Sequence, residues 1–383
     1  MLDIYFDNVT IDTNEKFVRK KTSLNENCYK VEMNRKEVIE HMWADAFADS
    51  NEWRRWFFEN VYDDNQAMLS IRNGTPLSSL LLQKRSFNFC GNDVPCGYIA
   101  GATTAKNLRS RGFMSELMNK ALIESYARGD VFVSLIPATD SLYFFYDKFG
   151  FATVIYREVE RYTALHRFDK SEAFKPIEPD FKVLESIEKQ RDRAVRHSEK
   201  DWSQIVTDLT FEDGYVCACV DNEGNPVALA IALERKEEIL VKYLGVPKGS
   251  ESSAAEYVLS MVRDHFGSKP VEVWAMPGDR KNSPRLRARG MMRIVDANAV
   301  LSALALHDRK MQQVILLRDP IVHANNGYYI IRNGECRMVE NTMRPVTLAV
   351  DISTLTSIIF SSSQIGAVFG IPSSRPTLDL MLN

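Results

Sequence analysis

The stretch from residue 97 to residue 128 constrains this chain more than any other. Residues 97–104 read as a strand and residues 105–111 as a short polar loop. From Gly112 onward Met114, Leu117, Met118, Ala121, Leu122 and Ser125 recur at helical spacing to about residue 128, and Gly129 supplies a stop. A strand that empties through a loop straight into a helix sets the first helical turn at the end of the strand. The N–H groups of that turn have no partners within the helix, and the macrodipole adds partial positive charge there. Together they make an anion site. Gly112 tolerates positive φ and lets the backbone approach a bulky anion, while Arg109 and Arg111 add charge. Taken alone, the loop is two solvated arginines before an ordinary helix. The strand before it and the amphipathic helix after it shift the balance toward a site for a pyrophosphate.

The rest of the chain supplies a sheet around this unit. Residues 28–33 and 66–72 read as strands, with aromatic-rich helices at 35–49 and 51–62 between them. Asn73-Gly74 is a hairpin signal, and Gly91-Asn92-Asp93 marks a second turn. After the helix come a buried strand at 131–137, a helix, and a strand at 149–162. The prolines and mixed charge of 165–185 break the pattern, and the order of strands and helices then repeats in part up to about 285. A smaller set of strands and helices closes the chain. We therefore expect an α+β (α/β) protein in three parts, 1–163, 164–285 and 286–383.

Composition narrows the function classes. The formal net charge of -3 gives no basic excess of the kind nucleic-acid or membrane-surface binders carry. The first residues are acidic where a signal peptide needs basic and then apolar residues, and no apolar run reaches membrane-spanning length. Six scattered cysteines show no CxxC pair, and Cys217-x-Cys219 alternates as in a buried strand. Six histidines without an HExxH leave no metal site to expect. These features point to reduced thiols and a cytoplasmic protein without nucleic-acid or membrane partners.

The loop residues resemble the Q/R-x-x-G-x-G/A pattern of the GNAT superfamily of acetyltransferases. Arg109, Gly112 and Met114 fall on its three defined positions, Met114 standing where the pattern has a small residue. The resemblance implies that Arg109, Ser110, Arg111, Gly112, Phe113 and Met114 hold the pyrophosphate of acetyl-coenzyme A as co-substrate. It also implies that Ala102, Thr103 and Thr104 pair with the pantetheine amides along a free edge of a splayed sheet. The segment from Tyr146 to Phe151 is similar to the Y-x-x-F-G-Y/F segment of the Eis-like branch. That branch joins two GNAT-like domains to a C-terminal sterol-carrier-like domain, a plan that matches the three parts and implies a homo-oligomer built on trimers.

A phenol protonated at neutral pH can give its proton to a departing thiolate. From the residues alone Tyr143 and Tyr146 compete for that role within the aromatic run 143–146, most of which must be packing. The resemblance selects Tyr146 as general acid. In the family the terminal carboxylate reaches the site; this sequence stops at Asn383, and no base is assigned. The middle part has Val246-Pro247-Lys248-Gly249-Ser250-Glu251 where a second loop would lie, so one coenzyme site is expected. Trp43, Phe47, Trp53, Trp56 and Phe57, with nearby aspartates, occupy the helices where the family places its amine acceptor. Most of these read as core, with Trp53 and Trp56 as pocket candidates. The competing readings are a carrier protein using its last part for an apolar ligand, and a transferase of another acyl group.

Overall fold

The computed structural model describes residues 34–247, 252–275, 286–360 and 376–382, with the backbone of three short strands before residue 34. Those strands are β1 (Thr10–Ile11), β2 (Phe17–Val18) and β3 (Glu32–Met33). Helix α1 (Arg35–Ala46) starts at Asn34, whose side chain accepts from Glu37 N while the Glu37 carboxylate accepts from Asn34 N. Helix α2 (Asn51–Asn60) is capped by Ser50. Strands β4 (Ala67–Arg72), β5 (Thr75–Phe89) and β6 (Asn92–Thr104) then form two hairpins. Asn73-Gly74 makes the expected first turn, with φ of 51° and 73°. The second turn sits on Cys90-Gly91, a step earlier than the sequence suggests, again with both φ positive.

The chain continues as α3 (Phe113–Ala127), β7 (Phe132–Leu135), α4 (Asp140–Asp147) and β8 (Ala152–Tyr162). The middle part contributes β9 (Lys175–Ile177), α5 (Phe181–Lys189), β10 (Val195–Arg196), α6 (Glu199–Thr210), β11 (Tyr215–Val220), β12 (Pro226–Glu234), β13 (Ile239–Gly245), α7 (Ser252–Phe266) and β14 (Val271–Ala275). Last come β15 (Leu286–Ile294), α8 (Ala297–His307), β16 (Gln313–Arg318), β17 (Gly327–Arg332), β18 (Glu335–Val339), β19 (Leu348–Asp351) and α9 (Ile352–Ile359). The sequence reads as helices over 185–209; the structure breaks that stretch with β10, which pairs with β5 at Phe87 and Ser86.

One sheet of 13 strands runs through both halves, in the order β1-β4-β5-β6-β7-β15-β8-β14-β13-β12-β11-β9, with β10 on β5. The partial repeat is visible in it. Parallel β6 and β7 are joined through α3, and parallel β13 and β14 through α7, each helix having 15 residues. The halves interlock at the centre. Strand β15, which begins just after residue 285, lies between β7 and β8 and is antiparallel to both. Strand β8 pairs with β15 through its first half and with β14 through its second, both registers meeting at Glu158. A smaller sheet, β18-β17-β16-β19, stands apart with α8 and α9.

The apolar residues sort by face. Leu117, Met118, Ala121 and Leu122 of α3 pack with Val133, Leu135, Tyr146 and Phe151. Cys217 and Cys219 are buried under α7, as their alternation suggests. A third cluster on the opposite face joins α1, α2, α5 and α6 to α8 and α9. Arg293 ties the small sheet to the first half. Fully buried, it donates to Phe149 O at 2.7 Å and Ile294 O at 2.9 Å, and pairs with Asp319 at 2.7 Å. Among the described residues no helix is long and apolar enough to cross a membrane.

Candidate active site

The site begins where β6 and β7 part. They pair from Cys96–Phe132 to Ile99–Leu135, after which β7 ends and β6 runs on to Thr104. The cause lies on the other edge of β6. Ser79 faces Thr103 but Leu81 faces Ala100, so β6 carries one extra residue there. Gly101 occupies this bulge with φ of 59°. A bulge bends its strand and re-aims the residues beyond it, here the stretch of β6 that runs on past the end of β7. Among the described residues no strand pairs with that stretch on its β7 side. Ala102, Thr103 and Thr104 lie on that stretch, with Thr103 and Thr104 paired on their other side to Ser79 and Ser78. Gly101 itself escaped the sequence reading, although an isolated glycine in a strand is a bulge signal. Glycine is required there, because a Cβ would stand 1.9 Å from Trp43 Cζ3.

Beyond Thr104 a single 3-10 turn (Lys106–Leu108) leads to the loop. Ser110 and Gly112 both take positive φ, 62° and 85°. Nothing lies within 4 Å of a Cβ built on Gly112, so it is conformation and not crowding that calls for glycine here. Helix α3 has no side-chain cap, and its first turn ends in open N–H groups. Arg109 and Arg111 are exposed, and Arg109 Nε donates to Thr104 O at 3.3 Å. Phe113 and Met114 are half-buried, Met114 packing toward the α3 cluster. A third cation, Arg72 at the tip of the first hairpin, lies over the Phe113 ring at 5.5 Å and 3.9 Å from Glu116. Nothing in its sequence context announces it, since the hairpin alone carries it there.

Helix α4 carries the aromatic run. Tyr146 is buried against Phe151 and Phe145 and shares the α3 cluster with Ala102 and Met114. Phe144 is 78% exposed, so the run is not packed throughout. Burial pushes the Tyr146 phenol up to about 12. Tyr143, one turn earlier, is half-buried; burial raises its pKa, against the pull of Arg289 and Arg157 nearby. The loop, the open edge and Tyr146 thus belong to one region, and Tyr143 borders the same cluster beside Ala102 and Met114.

Opposite them lie the aromatics of α1 and α2. Trp43, Trp53 and Phe57 are buried and mutually packed. Trp53 Nε1 donates to Asp208 at 2.6 Å, and Trp53 walls a cavity of about 350 Å³ with Asp49, Asp208, Lys242 and Leu382. Trp56 packs on Phe211 and is not part of that wall. Asp208 and Lys242 come from the middle part, where no motif marked them. The tail leads here too, through Met381 and Leu382, whereas Asn383 and residues 248–251 fall outside the described residues. A larger cleft, about 720 Å³, lined by Arg35, Tyr62, Asp63, Lys84 and Asp201, includes neither Tyr146 nor any loop residue. Among the described residues no group of His, Cys, Asp and Glu is arranged to hold a metal ion.

Known proteins share this design. Residues 31–154 match the family model described as an acetyltransferase (GNAT) domain. A conserved protein of Enterococcus faecalis, described as a probable N-acyltransferase, superposes with a TM-score of 0.74 at 14% identity, over 97% of this chain and 99% of that one. Eis1 from Mycobacterium abscessus gives 0.69 at 13%, over 91% and 97%. A GCN5-related N-acetyltransferase from Anabaena variabilis gives 0.67 at 17%, over 88% and 90%. At such identities the likeness is one of fold, and it extends over the tandem arrangement. No curated protein sequence matches the chain.

Proposed function

We infer that the chain is an N-acetyltransferase that takes its acetyl group from acetyl-coenzyme A and passes it to an amine. A GNAT acetyltransferase domain occupies its first part, and that fold serves acyl transfer from a coenzyme A thioester. The observation that carries the finer reading is the open edge of β6 leading directly to the uncapped start of α3. In this reading the N–H groups of α3 and the guanidinium groups of Arg109 and Arg111 take the diphosphate. The backbone of residues 100–104 takes the pantetheine arm as an added strand and polarises the thioester carbonyl.

Tyr146 then supplies the proton. A phenol near 12 is fully protonated at neutral pH. Toward a thiolate in water, whose thiol ionises near 8.5, its donation would run uphill. Desolvation raises thiols too, as Cys96 shows, pushed up to about 12 by burial next to the same strands. A sulfur leaving against the dry wall around Tyr146 is brought toward the same range, so the transfer becomes balanced. The amine enters from the side of Trp53 and must arrive neutral. The carboxylates of Asp49 and Asp208 lie in that wall. The small sheet, bound through Arg293 and Asp319, braces Phe149 just after Tyr146.

Thiol release from acetyl-coenzyme A, followed across a panel of amines, tests this reading. Amine-dependent release that stops in Tyr146→Phe is expected. Coenzyme A that fails to bind in calorimetry would end it. Propionyl- and succinyl-coenzyme A in the same assay fix the acyl group.

A further inference from the structure

Where the two halves of the sheet interlock, three arginines lie on neighbouring strands. Arg157 on β8 pairs in register with Arg287 on β15, and Arg289 stands two residues on. The Arg157 guanidinium lies 3.4 Å from the centroid of the Trp274 ring on β14. Arg289 lies 5.4 Å and Arg235 6.0 Å from the same ring. The carboxylate beside them is already engaged. Glu272 accepts from Arg161 Nε and Nη2 at 2.9 and 2.7 Å and from Trp274 Nε1 at 2.8 Å. Among the described residues no carboxylate within 4.0 Å pairs with Arg157, Arg287 or Arg289. Nε and Nη1 of Arg157 are closed off from solvent and donate to nothing among the described residues. Burial and the charge of Arg289 lower the Arg157 pKa to about 10.

Stacking on Trp274 explains one arginine in such a place, as a cation over an aromatic face. It does not explain a second guanidinium, that of Arg289, held over the same ring, or the further like charge of Arg287 acting on Arg157. Planar donor forks gathered in one spot match a carboxylate or phosphate. The cluster also lies beside the site described above. Arg289 and Arg157 act on Tyr143, one turn before Tyr146. Arg289 also acts on Asp379 in the tail, and three residues further the tail reaches the Trp53 cavity through Met381 and Leu382. A chain of three residues spans at most about 11 Å.

We propose that Arg157 and Arg289, gathered on Trp274, with Arg287 exposed beside Arg157, bind an anionic group, carboxylate or phosphate, carried by the amine acceptor. The acceptor is then an amine with an acidic end, its nitrogen toward the Tyr146 side and its anion on the arginines. This assignment rests on the acyltransferase reading of the adjoining cleft.

Two measurements on the full chain test it. In the first, thermal unfolding is followed in inorganic phosphate, in acetate and in chloride at equal ionic strength, for the parent and for Arg157→Gln/Arg289→Gln. Both proteins share the α3 loop, so any phosphate held there cancels in the comparison. A rise in Tm with phosphate or acetate in the parent, absent in the variant, is expected, and the stronger ion identifies the anion. The variant has shed like charges, so its Tm in chloride should equal or exceed that of the parent. Equal rises in both proteins, or no rise in the parent, would overturn the proposal. The second compares kcat/KM for an α-amino acid with that for its methyl ester, and for phosphoethanolamine with that for ethanolamine. Two charge-assisted hydrogen bonds favour the anionic member by at least about tenfold. That ratio should fall toward one in the double variant and in Arg287→Gln; a ratio near one in the parent refutes the assignment. If coenzyme A binds but no amine is acetylated, the transferase reading fails, and the unfolding experiment still decides the anion site.

Discussion

Replacing Gly101 with alanine should damage both the fold and coenzyme binding, and the structure gives the size of the effect. The residue sits at φ of 59°, where an L side chain costs about 1–2 kcal/mol. The new Cβ would lie 1.9 Å from Trp43 Cζ3, so the ring must retreat by about 1.5 Å to reach ordinary contact. Trp43 has little freedom to do so. It is 2% exposed, packed by Phe47, Phe57 and Phe58, and held through Nε1 to Asp49 at 2.7 Å. Overpacking of this kind costs about 1–3 kcal/mol. Gly101→Ala should therefore lose about 2–5 kcal/mol in urea unfolding. If the chain relieves the strain by straightening β6, the gap beside β7 closes and coenzyme A affinity falls with it. Trp43→Leu in the same background makes room, so the two changes should couple by more than about 1 kcal/mol in a double-mutant cycle. A Gly101→Ala protein of parental stability and parental coenzyme affinity would mean that neither the bulge nor the open edge depends on this glycine.

Tyr146→Phe should lower turnover by about 10²–10⁴-fold, with coenzyme A affinity by calorimetry unchanged. The same phenol sets an alkaline limit. Its folded pKa of about 12 stands above the ordinary 10, so its contribution to stability is complete below about pH 10 and is lost as pH rises toward 12. Denaturant titrations across that window should show a smaller loss in Tyr146→Phe than in the parent. Arg109→Ala with Arg111→Ala should weaken coenzyme A binding by at least about tenfold, read by calorimetry, and flatten its salt dependence. Arg293→Met leaves the Asp319 carboxylate buried without its cation and should cost about 3–5 kcal/mol in urea unfolding. Part of that cost should return in Arg293→Met/Asp319→Leu.

Local signals carried much of this into the sequence. The Asn73-Gly74 turn, the spacing of Leu117, Met118, Ala121 and Leu122, and the glycine before Phe113 each arise from backbone preferences within a few residues, and each stands in the structure. The part that escaped depends on partners far apart in the chain. Trp53 could be named as a wall, but its hydrogen-bond partner Asp208 lies 155 residues away. Arg72 comes to the α3 loop only because a hairpin folds over it. The arginines around Trp274 come from strands that sequence order assigns to different parts of the chain. Strand β15 belongs by position to the last part, yet its hydrogen bonds lie in the middle of the main sheet. Apolar periodicity tells which residues are buried; it carries no information about which strand lies beside which.

The seat taken by β15 has a consequence for synthesis. Roughly 150 residues separate β7 from the strand that covers it, about 8–30 s of translation at ~5–20 residues per second. Throughout that interval the emerging chain holds β7 with a raw hydrogen-bonding margin and no lawful neighbour on the ribosome to occupy it. Such margins recruit strands from other chains. Slowing its ribosomes or depriving them of chaperones should therefore send more of it into inclusions.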